Sequence, residues 1–144
     1  MPRLQAEQRP SSRERSTTSV SEREAAKRCL VAIVEDDSEF RNMLRELLEE
    51  EQYRVVAVAN GAEALETLRG ETVPNVILLD VSMPVMDGFD FLRFRNEDPR
   101  LATVPVVLVT NAKPHERPTI GVNDVVRKPI DIDEILFAIK RYCV

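Results

Sequence analysis

The stretch NVILLDVSMPVMDGFDFL, residues 75–92, contains one strand-to-helix unit. Its first six residues form an apolar run that ends in an acid, which is typical of a strand buried on both faces of a sheet. A proline-containing turn follows, after which Asp87 can cap a helix. In that helix Phe89 and Leu92 are predicted to face inward, with Phe91 as a further candidate. The stretch therefore predicts a β-strand followed by an α-helix.

The same alternation of short apolar runs and amphipathic segments occurs on both sides of this unit. Further strands are predicted at 29–34, 53–59, 105–110 and 123–128, and further helices at 38–50, after Asn60, and at 131–142. Asp37 or Ser38 can cap the first of these helices. Five strands that alternate with helices predict a doubly wound α/β domain, in which right-handed crossovers place helices on both faces of a parallel sheet.

The segment between the fourth and fifth strands does not fit this alternation. It contains Pro114 and Pro118, only four residues apart. An interior proline removes a backbone donor and clashes with the preceding helical turn. We therefore expect a loop or a single turn here, with the fourth helix truncated or missing.

The first 28 residues differ in composition from the rest of the chain. They contain seven basic and four acidic residues and almost nothing large and apolar, whereas the remainder contains 13 basic and 21 acidic residues. Such a stretch buries too little surface to offset its chain entropy, so residues 1–28 are predicted to be a disordered basic tail and 29–144 the folded domain. Residues 21–28, SEREAAKR, favour a short helix locally.

Composition excludes several classes of protein. No apolar run approaches the roughly 20 residues that a membrane-spanning helix needs, and arginines interrupt the start where a signal peptide requires an apolar region. The formal net charge of −5 argues against general nucleic-acid binding. Two cysteines, Cys29 and Cys143, form no disulfide framework and fit a reducing cytoplasm. We expect reduced thiols, although the fold can bring the two cysteines near each other.

Reactive side chains follow four of the five predicted strands. Glu35 and Asp36 follow the first, Asp80 ends the third, Thr110 ends the fourth and Lys128 ends the fifth. Ligands of parallel α/β sheets bind beyond the carboxyl ends of the strands. Carboxylates gathered there need a cation, and a hard divalent ion such as Mg²⁺ suits oxygen ligands. A lysine and a hydroxyl beside them suit a phosphoryl group.

Each of these residues also has an ordinary explanation. Acids at a strand-to-helix junction are usually helix caps, and a lone Asp after a strand commonly caps a turn. Thr110 suits a strand as a β-branched residue, and a lone surface lysine is usually solvated. The joint position of all of them at one edge of one sheet favours the phosphate site over these explanations.

The chain resembles the receiver domain of two-component response regulators, which has a CheY-like, flavodoxin-like fold. The resemblance covers about residues 29–143. It rests on VAIVEDDSEFRNML after Leu30, VILLDVSMPVMDGFDFL from Val76, VVLVT from Val106 and RKPI from Arg127. The pattern D-x-x-M-P-x-M-D-G, which begins at Asp80, is specific by itself.

The resemblance implies a magnesium site. Asp36 matches an acid that ligates Mg²⁺ directly, and Glu35 matches its neighbour, which acts through a metal-bound water. Asp80 matches a further ligand, and the backbone carbonyl of Ser82 matches the remaining protein ligand. Asp37 falls one position beyond the acidic pair and is interpreted as a helix cap.

The resemblance also implies phosphoryl chemistry. Asp80 matches the phosphoacceptor, which attacks the phosphoryl group of a phosphohistidine. Thr110 matches the hydroxyl that hydrogen-bonds a phosphoryl oxygen, and Lys128 matches the ammonium that pairs with it. The peptide bond before Pro129 matches one that is cis in this family.

Three features depart from the family pattern. Asn111 stands where the family has a small residue and could narrow access to Asp80. Val125 stands where the family has Tyr or Phe, so the aromatic switch coupled to the threonine hydroxyl cannot operate in its usual form. The short interval from Thr110 to Lys128 implies a changed surface at 111–125.

Three functions compete on this basis. The leading one is a cytoplasmic signalling switch in the form of a stand-alone receiver. It is expected to take a phosphoryl group from a sensor histidine kinase or phosphotransfer protein and then to contact an effector protein. No direct contact with nucleic acid or with a membrane is expected. The alternative is a phosphorylation-independent binding module that uses the 111–125 surface. An enzyme of the haloacid dehalogenase type is disfavoured, because it needs a second Asp where this chain has Ser82.

Overall fold

The computed structural model describes residues 20–69 and 73–143. Strands and helices alternate along the described chain, as the apolar patterning predicts. In chain order the elements are α1 (Val20–Lys27), β1 (Leu30–Val34), α2 (Ser38–Glu50), β2 (Arg54–Val58), α3 (Gly61–Thr67), β3 (Val76–Leu79), α4 (Gly88–Glu97), β4 (Val106–Thr110), a 3-10 turn (Pro114–Glu116), β5 (Asp124–Arg127) and α5 (Ile132–Lys140).

The five strands form one parallel sheet in the order β2-β1-β3-β4-β5. This order confirms the predicted doubly wound fold, in which the chain reverses its winding direction next to β1. Val34 pairs with Leu79, and Thr110 pairs with Arg127. The strands therefore end at a common edge of the sheet.

Two apolar cores pack against the two faces of the sheet. The side chains of β1 alternate between the two cores: Val31 and Ile33 lie in one, and Ala32 and Val34 lie in the other. Successive side chains of a strand point to opposite faces, so a strand covered by helices on both sides must be apolar at every position. This requirement explains the uninterrupted apolar runs.

The helix that follows β3 buries Leu92 and Phe91, both of which are predicted candidates for the inner face, but not Phe89. Phe91 is fully buried and Leu92 nearly so, whereas Phe89 is 46% exposed. The prediction for Phe89 is wrong: α4 begins at Gly88, so Phe89 lies in its first turn, and its side chain stays partly exposed. Asp87 caps this helix as predicted, accepting the Asp90 N–H at 3.0 Å.

The segment between β4 and β5 confirms the prediction made from its prolines. Residues 111–123, all of them within the described ranges, contain the 3-10 turn Pro114–Glu116 and no α-helix. A single turn thus stands where strict alternation would place a helix between β4 and β5.

The prediction of a disordered tail up to Arg28 is wrong for its last part. The structure contains the short helix that SEREAAKR favours, and Ala26 on that helix is buried in the same core as β1. The helix forms because one small apolar residue reaches a core that the sequence pattern does not reveal. The rest of the predicted tail, residues 1–19, lies outside the described residues.

The expectation of two reduced thiols is also wrong for this structure, which joins Cys29 and Cys143 as a disulfide. Their Cα atoms are 5.5 Å apart. The start of β1 and the end of α5 meet at the same end of the sheet, which confirms that the fold brings the two cysteines together. None of the helices within the described ranges has the length and apolar character needed to cross a membrane.

Candidate functional site

Backbone hydrogen bonds hold the ends of the central strands in line. The N–H of Asp80 donates to the Val34 carbonyl at 3.0 Å, and the N–H of Lys128 donates to the Thr110 carbonyl at 3.0 Å. Glu35 extends β1 by one residue, since its N–H donates to the Val58 carbonyl at 3.1 Å. The parallel ladder thus places residues that are distant in sequence at one edge.

Lys128 lies between two carboxylates of this edge. Its Nζ is 2.8 Å from Oε1 of Glu35 and 3.6 Å from Oδ2 of Asp80. The ammonium also stands 4.5 Å from the centre of the Phe40 ring, so an aromatic face helps to hold the charge in place. The predicted convergence of Glu35, Asp80 and Lys128 is confirmed.

Asp36 completes a group of three carboxylates. One ligand oxygen from each of Glu35, Asp36 and Asp80 lies within 4.8 Å of the others. Glu35 and Asp80 are buried, at 3% and 8% exposure, whereas Asp36 is exposed. The pocket therefore has two buried acids at its base and one acid at its mouth.

Burial and charge shift the protonation of the two groups that form the close ion pair. Burial raises the pKa of Glu35, and this effect exceeds the opposing hydrogen bonds from Lys128 and from the Asp37 N–H. Burial alone would lower the pKa of Lys128, but its hydrogen bond to Glu35 and the charge of Asp80 outweigh burial and raise it. Lys128 is therefore held as a cation in the pocket.

The remaining predicted site residues occupy the rim and the neighbouring strand end. Thr110 is fully buried at the end of β4, and its hydroxyl oxygen accepts the Ala112 N–H at 3.1 Å. Ser82 is exposed in the loop two residues after Asp80. The peptide bond between Lys128 and Pro129 is cis, as the resemblance implies.

Three residues support the pocket without being identified from the sequence as part of it. Phe40 contacts Lys128, although its spacing in α2 predicts only a core residue. Arg41 Nη1 donates to the Glu35 carbonyl at 2.8 Å, and no motif signals this contact. A Cβ at Gly88 would lie 2.9 Å from the Asp80 carbonyl oxygen. The glycine of the M-D-G pattern thus lets α4 begin against the loop that follows Asp80.

Two of the departures noted from the family pattern have clear positions. Asn111 is exposed directly after β4. Val125 is half-buried on β5 and packs against the core that contains Phe91. Asn111 begins the segment between β4 and β5, and Val125 lies two residues beyond the end of that segment.

The sheet order and the pocket together define a class of protein. It is a doubly wound α/β domain with an acidic cluster at the carboxyl ends of two central strands, β1 and β3, and a lysine directly after the edge strand β5. A hard divalent cation and a phosphoryl group are the ligands that such a site suits.

Comparison with known proteins agrees with this class. The family described as "Response regulator receiver domain" matches residues 31–140. The polar-differentiation response regulator DivK of Brucella anthropi is 32% identical over 116 residues, which cover 78% of this chain and 94% of DivK. The transcriptional regulatory protein CrdR of Helicobacter pylori is 35% identical, and the match covers 78% of this chain but only 54% of CrdR. The chain belongs to the response regulator receiver domain family.

Solved structures are similar over the same part of the chain. The receiver domain of a signal transduction histidine kinase from Syntrophus aciditrophicus has a TM-score of 0.71 at 35% identity, covering 80% of this chain and 89% of that one. A receiver domain of a sensor histidine kinase from Pseudomonas aeruginosa has a TM-score of 0.73 at 27% identity, covering 80% and 97%. In that neighbour a magnesium ion is coordinated in the active-site cleft.

Proposed function

We propose that Asp80 accepts a phosphoryl group from a phosphohistidine of a sensor histidine kinase or phosphotransfer protein. The observation that supports this most directly is the position of Lys128, whose Nζ lies 2.8 Å from Glu35 and 3.6 Å from Asp80. A cation at that place can neutralise a phosphoryl oxygen beside the Asp80 carboxylate, which is the nucleophile.

The transfer exchanges one bond to phosphorus for another. A carboxylate oxygen of Asp80 attacks the phosphorus atom, the phosphorus–nitrogen bond to the histidine breaks, and the imidazole nitrogen leaves and takes a proton from solvent. Oδ1 of Asp80 is already held by the Val81 N–H at 2.8 Å, whereas Oδ2 faces Lys128. These contacts orient the carboxylate before the donor arrives.

We infer that Glu35, Asp36 and Asp80 hold a Mg²⁺ ion, with the backbone carbonyl of Ser82 as a further ligand. The three carboxylates are oxygen donors of the kind that Mg²⁺ prefers. Their oxygens lie within 4.8 Å of one another, and opposite ligands of one octahedral Mg²⁺ lie about 4.2 Å apart. The three carboxylates therefore fit around one such ion with at most a small adjustment of their side chains. When bound, the ion would screen the negative phosphoryl oxygens from the attacking carboxylate.

The remaining roles follow from the same pocket. The Thr110 hydroxyl donates a hydrogen bond to a phosphoryl oxygen, and Lys128 exchanges part of its contact with Glu35 for a second phosphoryl oxygen. We propose a switch and not an enzyme: Asp80 would receive one phosphoryl group, and Ser82 stands where a phosphotransferase of the haloacid dehalogenase type needs a second Asp. The family match favours this function over a phosphorylation-independent module.

The phosphorylated chain would signal by contact with an effector protein, and we place it in the cytoplasm with its kinase. An acyl phosphate on Asp80 would change the charge at the ends of β3 and β4, beside the segment between β4 and β5. Because Val125 lacks an aromatic ring, that segment, and not a ring rotation, would respond.

The test is phosphorylation of the purified chain by a small donor such as phosphoramidate in the presence of Mg²⁺. Intact mass should increase by one phosphoryl group in the wild-type chain and remain unchanged in Asp80→Asn. The matched control is Asp87→Asn, because Asn caps a helix about as well as Asp and Asp87 is not a member of the acidic cluster.

The Asp87 variant should be phosphorylated like the wild-type chain, and chelation of the metal should abolish the reaction in both. A folded wild-type chain that takes no phosphoryl group from small donors or from histidine kinases would refute the proposal. Phosphorylation that persists in Asp80→Asn would refute the assignment of the acceptor.

A further inference from the structure

The two cysteines of the chain meet at the end of the sheet opposite the acidic pocket. Cys29 immediately precedes β1, and Cys143 lies three residues beyond α5. They are 114 residues apart in sequence, yet their Cα atoms are 5.5 Å apart, which is within the usual range for a disulfide. No position in the receiver-domain pattern described above accounts for this pair.

The surroundings of the pair allow a small reagent to reach one sulfur before the other. A cavity of about 170 Å³, lined by Cys143, Tyr53, Lys140 and residues of α1, opens beside Cys143. A water molecule occupies roughly 30 Å³ of liquid, so hydrogen peroxide fits the cavity. Cys29 is 1% exposed and Cys143 is 8% exposed, so the cavity favours Cys143 as the first sulfur to react.

We propose that Cys29 and Cys143 are a reversible redox pair that hydrogen peroxide oxidises. The Cys143 sulfur attacks one peroxide oxygen, the oxygen–oxygen bond breaks, and Cys143 becomes a sulfenic acid while water leaves. The Cys29 sulfur then attacks the Cys143 sulfur, the sulfur–oxygen bond breaks, and the hydroxyl leaves as water with the proton from Cys29. The two sulfurs together lose two electrons, and the peroxide gains two.

The disulfide fastens the two ends of the folded domain together. It closes a loop of 114 residues, and a crosslink that closes a long loop restricts the unfolded chain strongly. It also secures α1, because the Cys29 N–H donates to the Ala26 carbonyl at 2.9 Å and Ala26 shares a core with both cysteines. Oxidation therefore stabilises the domain together with its additional N-terminal helix.

The acidic pocket at the other end of the sheet is far enough from the two cysteines to be unaffected by their oxidation. Cys29 and Glu35 are six positions apart on extended chain, which corresponds to about 20 Å. Phosphoryl acceptance by Asp80 and oxidation of the cysteines are therefore expected to be independent. The redox proposal stands whether or not Asp80 is phosphorylated.

The experiment treats the reduced full-length chain with hydrogen peroxide, quenches it with catalase, and counts the thiols that remain by alkylation under denaturing conditions. Both thiols of the wild-type chain should disappear together, without a disulfide-linked dimer on a non-reducing gel. The melting temperature should rise by about 5 to 15 °C and return to its starting value after treatment with a reductant.

Single variants separate the two sulfurs. In Cys29→Ala, dimedone should trap a sulfenic acid at Cys143, whereas in Cys143→Ala the Cys29 thiol should remain reduced. Equal oxidation of both variants would overturn the assigned order. Wild-type thiols that both stay alkylatable after peroxide, or that form only intermolecular disulfides, would overturn the pair itself, and this measurement does not depend on how well the variants fold.

Discussion

Lys128 is the residue on which the electrostatics of the pocket depend. It faces Glu35, which is almost fully buried, and Asp80, which is buried beside it. Oxygens of the Glu35 and Asp80 carboxylates lie within 4.8 Å of each other. Two carboxylates this close repel each other unless a positive charge lies between them. The lysine therefore has a structural role in this pocket, in addition to the role in phosphoryl transfer that we propose for it.

Replacing Lys128 with Met keeps most of the side-chain volume and removes the charge. We expect Lys128→Met to lower the free energy of unfolding in the absence of Mg²⁺ by about 1 to 3 kcal/mol, because buried carboxylates lose their partner. Chemical denaturation in the presence of a metal chelator measures this loss. The same experiment with Mg²⁺ in place of the chelator should restore part of the stability. An unchanged stability would contradict the role assigned to Lys128.

Lys140→Met is the matched control for this variant. The Lys140 ammonium pairs with Glu22 at 3.4 Å, and both side chains are about half exposed. Exposed pairs of this kind contribute less than about 1 kcal/mol. The control should therefore lose much less stability than Lys128→Met, and Mg²⁺ should not change its stability relative to the wild-type chain.

Tyr53 makes the stability of the folded domain fall at alkaline pH. Burial, followed by the charges of Glu51 and Glu22, raises its pKa from 10.0 to about 12. A phenol that holds its proton more tightly in the folded state stabilises the fold fully below pH 10, and this stabilisation is lost as the pH rises from 10 to about 12. The total loss corresponds to about 2 to 3 kcal/mol.

Tyr53→Phe should remove this part of the alkaline destabilisation. Urea denaturation at a series of pH values gives the unfolding free energy as a function of pH. Between pH 10 and about 12 this free energy should fall less steeply in the variant than in the wild-type chain. The control is Tyr142→Phe, which leaves Tyr53 in place and should keep the alkaline loss. Parallel curves for wild type and Tyr53→Phe would contradict the assignment.

At the scale of elements, the segment between β4 and β5 rests on a buried arginine. Arg95 of α4 is 3% exposed, and its Nη2 donates to the Val104 carbonyl. Its Nη1 donates to the Asn96 side-chain oxygen at 2.7 Å. Gly121, with φ of 86°, lies directly over this guanidinium, since a Cβ there would be 2.8 Å from Nη1. A turn packed on Arg95 thus fills the space of the missing helix.

Gly121→Ala should therefore lower the free energy of unfolding by about 1 to 2 kcal/mol, because the positive φ disfavours any Cβ and the guanidinium leaves no room for it. Thermal or chemical denaturation measures the loss. Gly121→Asn adds the same Cβ but tolerates positive φ better, so a smaller loss for Asn would identify backbone strain as the larger cause. A stability equal to wild type in both variants would refute the packing argument.

At the scale of the whole molecule, α1 is an addition that closes the end of the domain opposite the pocket. Ala26 is buried in the core that also contains Cys29, Tyr53 and Cys143. The family match begins only at residue 31, so this helix precedes the part of the chain that defines the receiver domain. Its packing links the chain before β1 to the end of α5.

Ala26→Asp should detach α1 from the core. A carboxylate buried without a partner costs several kcal/mol unless the helix moves away, so we expect a loss of about 1 to 3 kcal/mol in unfolding free energy and faster amide exchange along α1. Lys27→Asp is the matched control, since Lys27 is exposed, and it should change stability by less than about 0.5 kcal/mol. Equal effects of the two substitutions would show that α1 does not pack as described.

The sequence by itself determined the features that depend on local patterns. Uninterrupted apolar runs identify the strands because both faces of this sheet are covered, and the acids, hydroxyl and lysine that follow those runs identify the site because parallel strands end at one edge. Pro114 and Pro118 exclude a regular helix wherever the segment packs. Asp37 and Asp87 cap helices through hydrogen bonds to residues only three positions away.

The tertiary structure alone decided the contacts between residues far apart in the chain. Lys128 and Glu35 are 93 positions apart, and only the alignment of β1 with β5 across the sheet brings them to 2.8 Å. The same holds for the ring of Phe40 against Lys128, for Cys29 against Cys143, and for the exposure of Phe89, which is predicted to face inward. Such contacts depend on how helices pack against the sheet, and neither spacing nor residue type in a single segment contains that information.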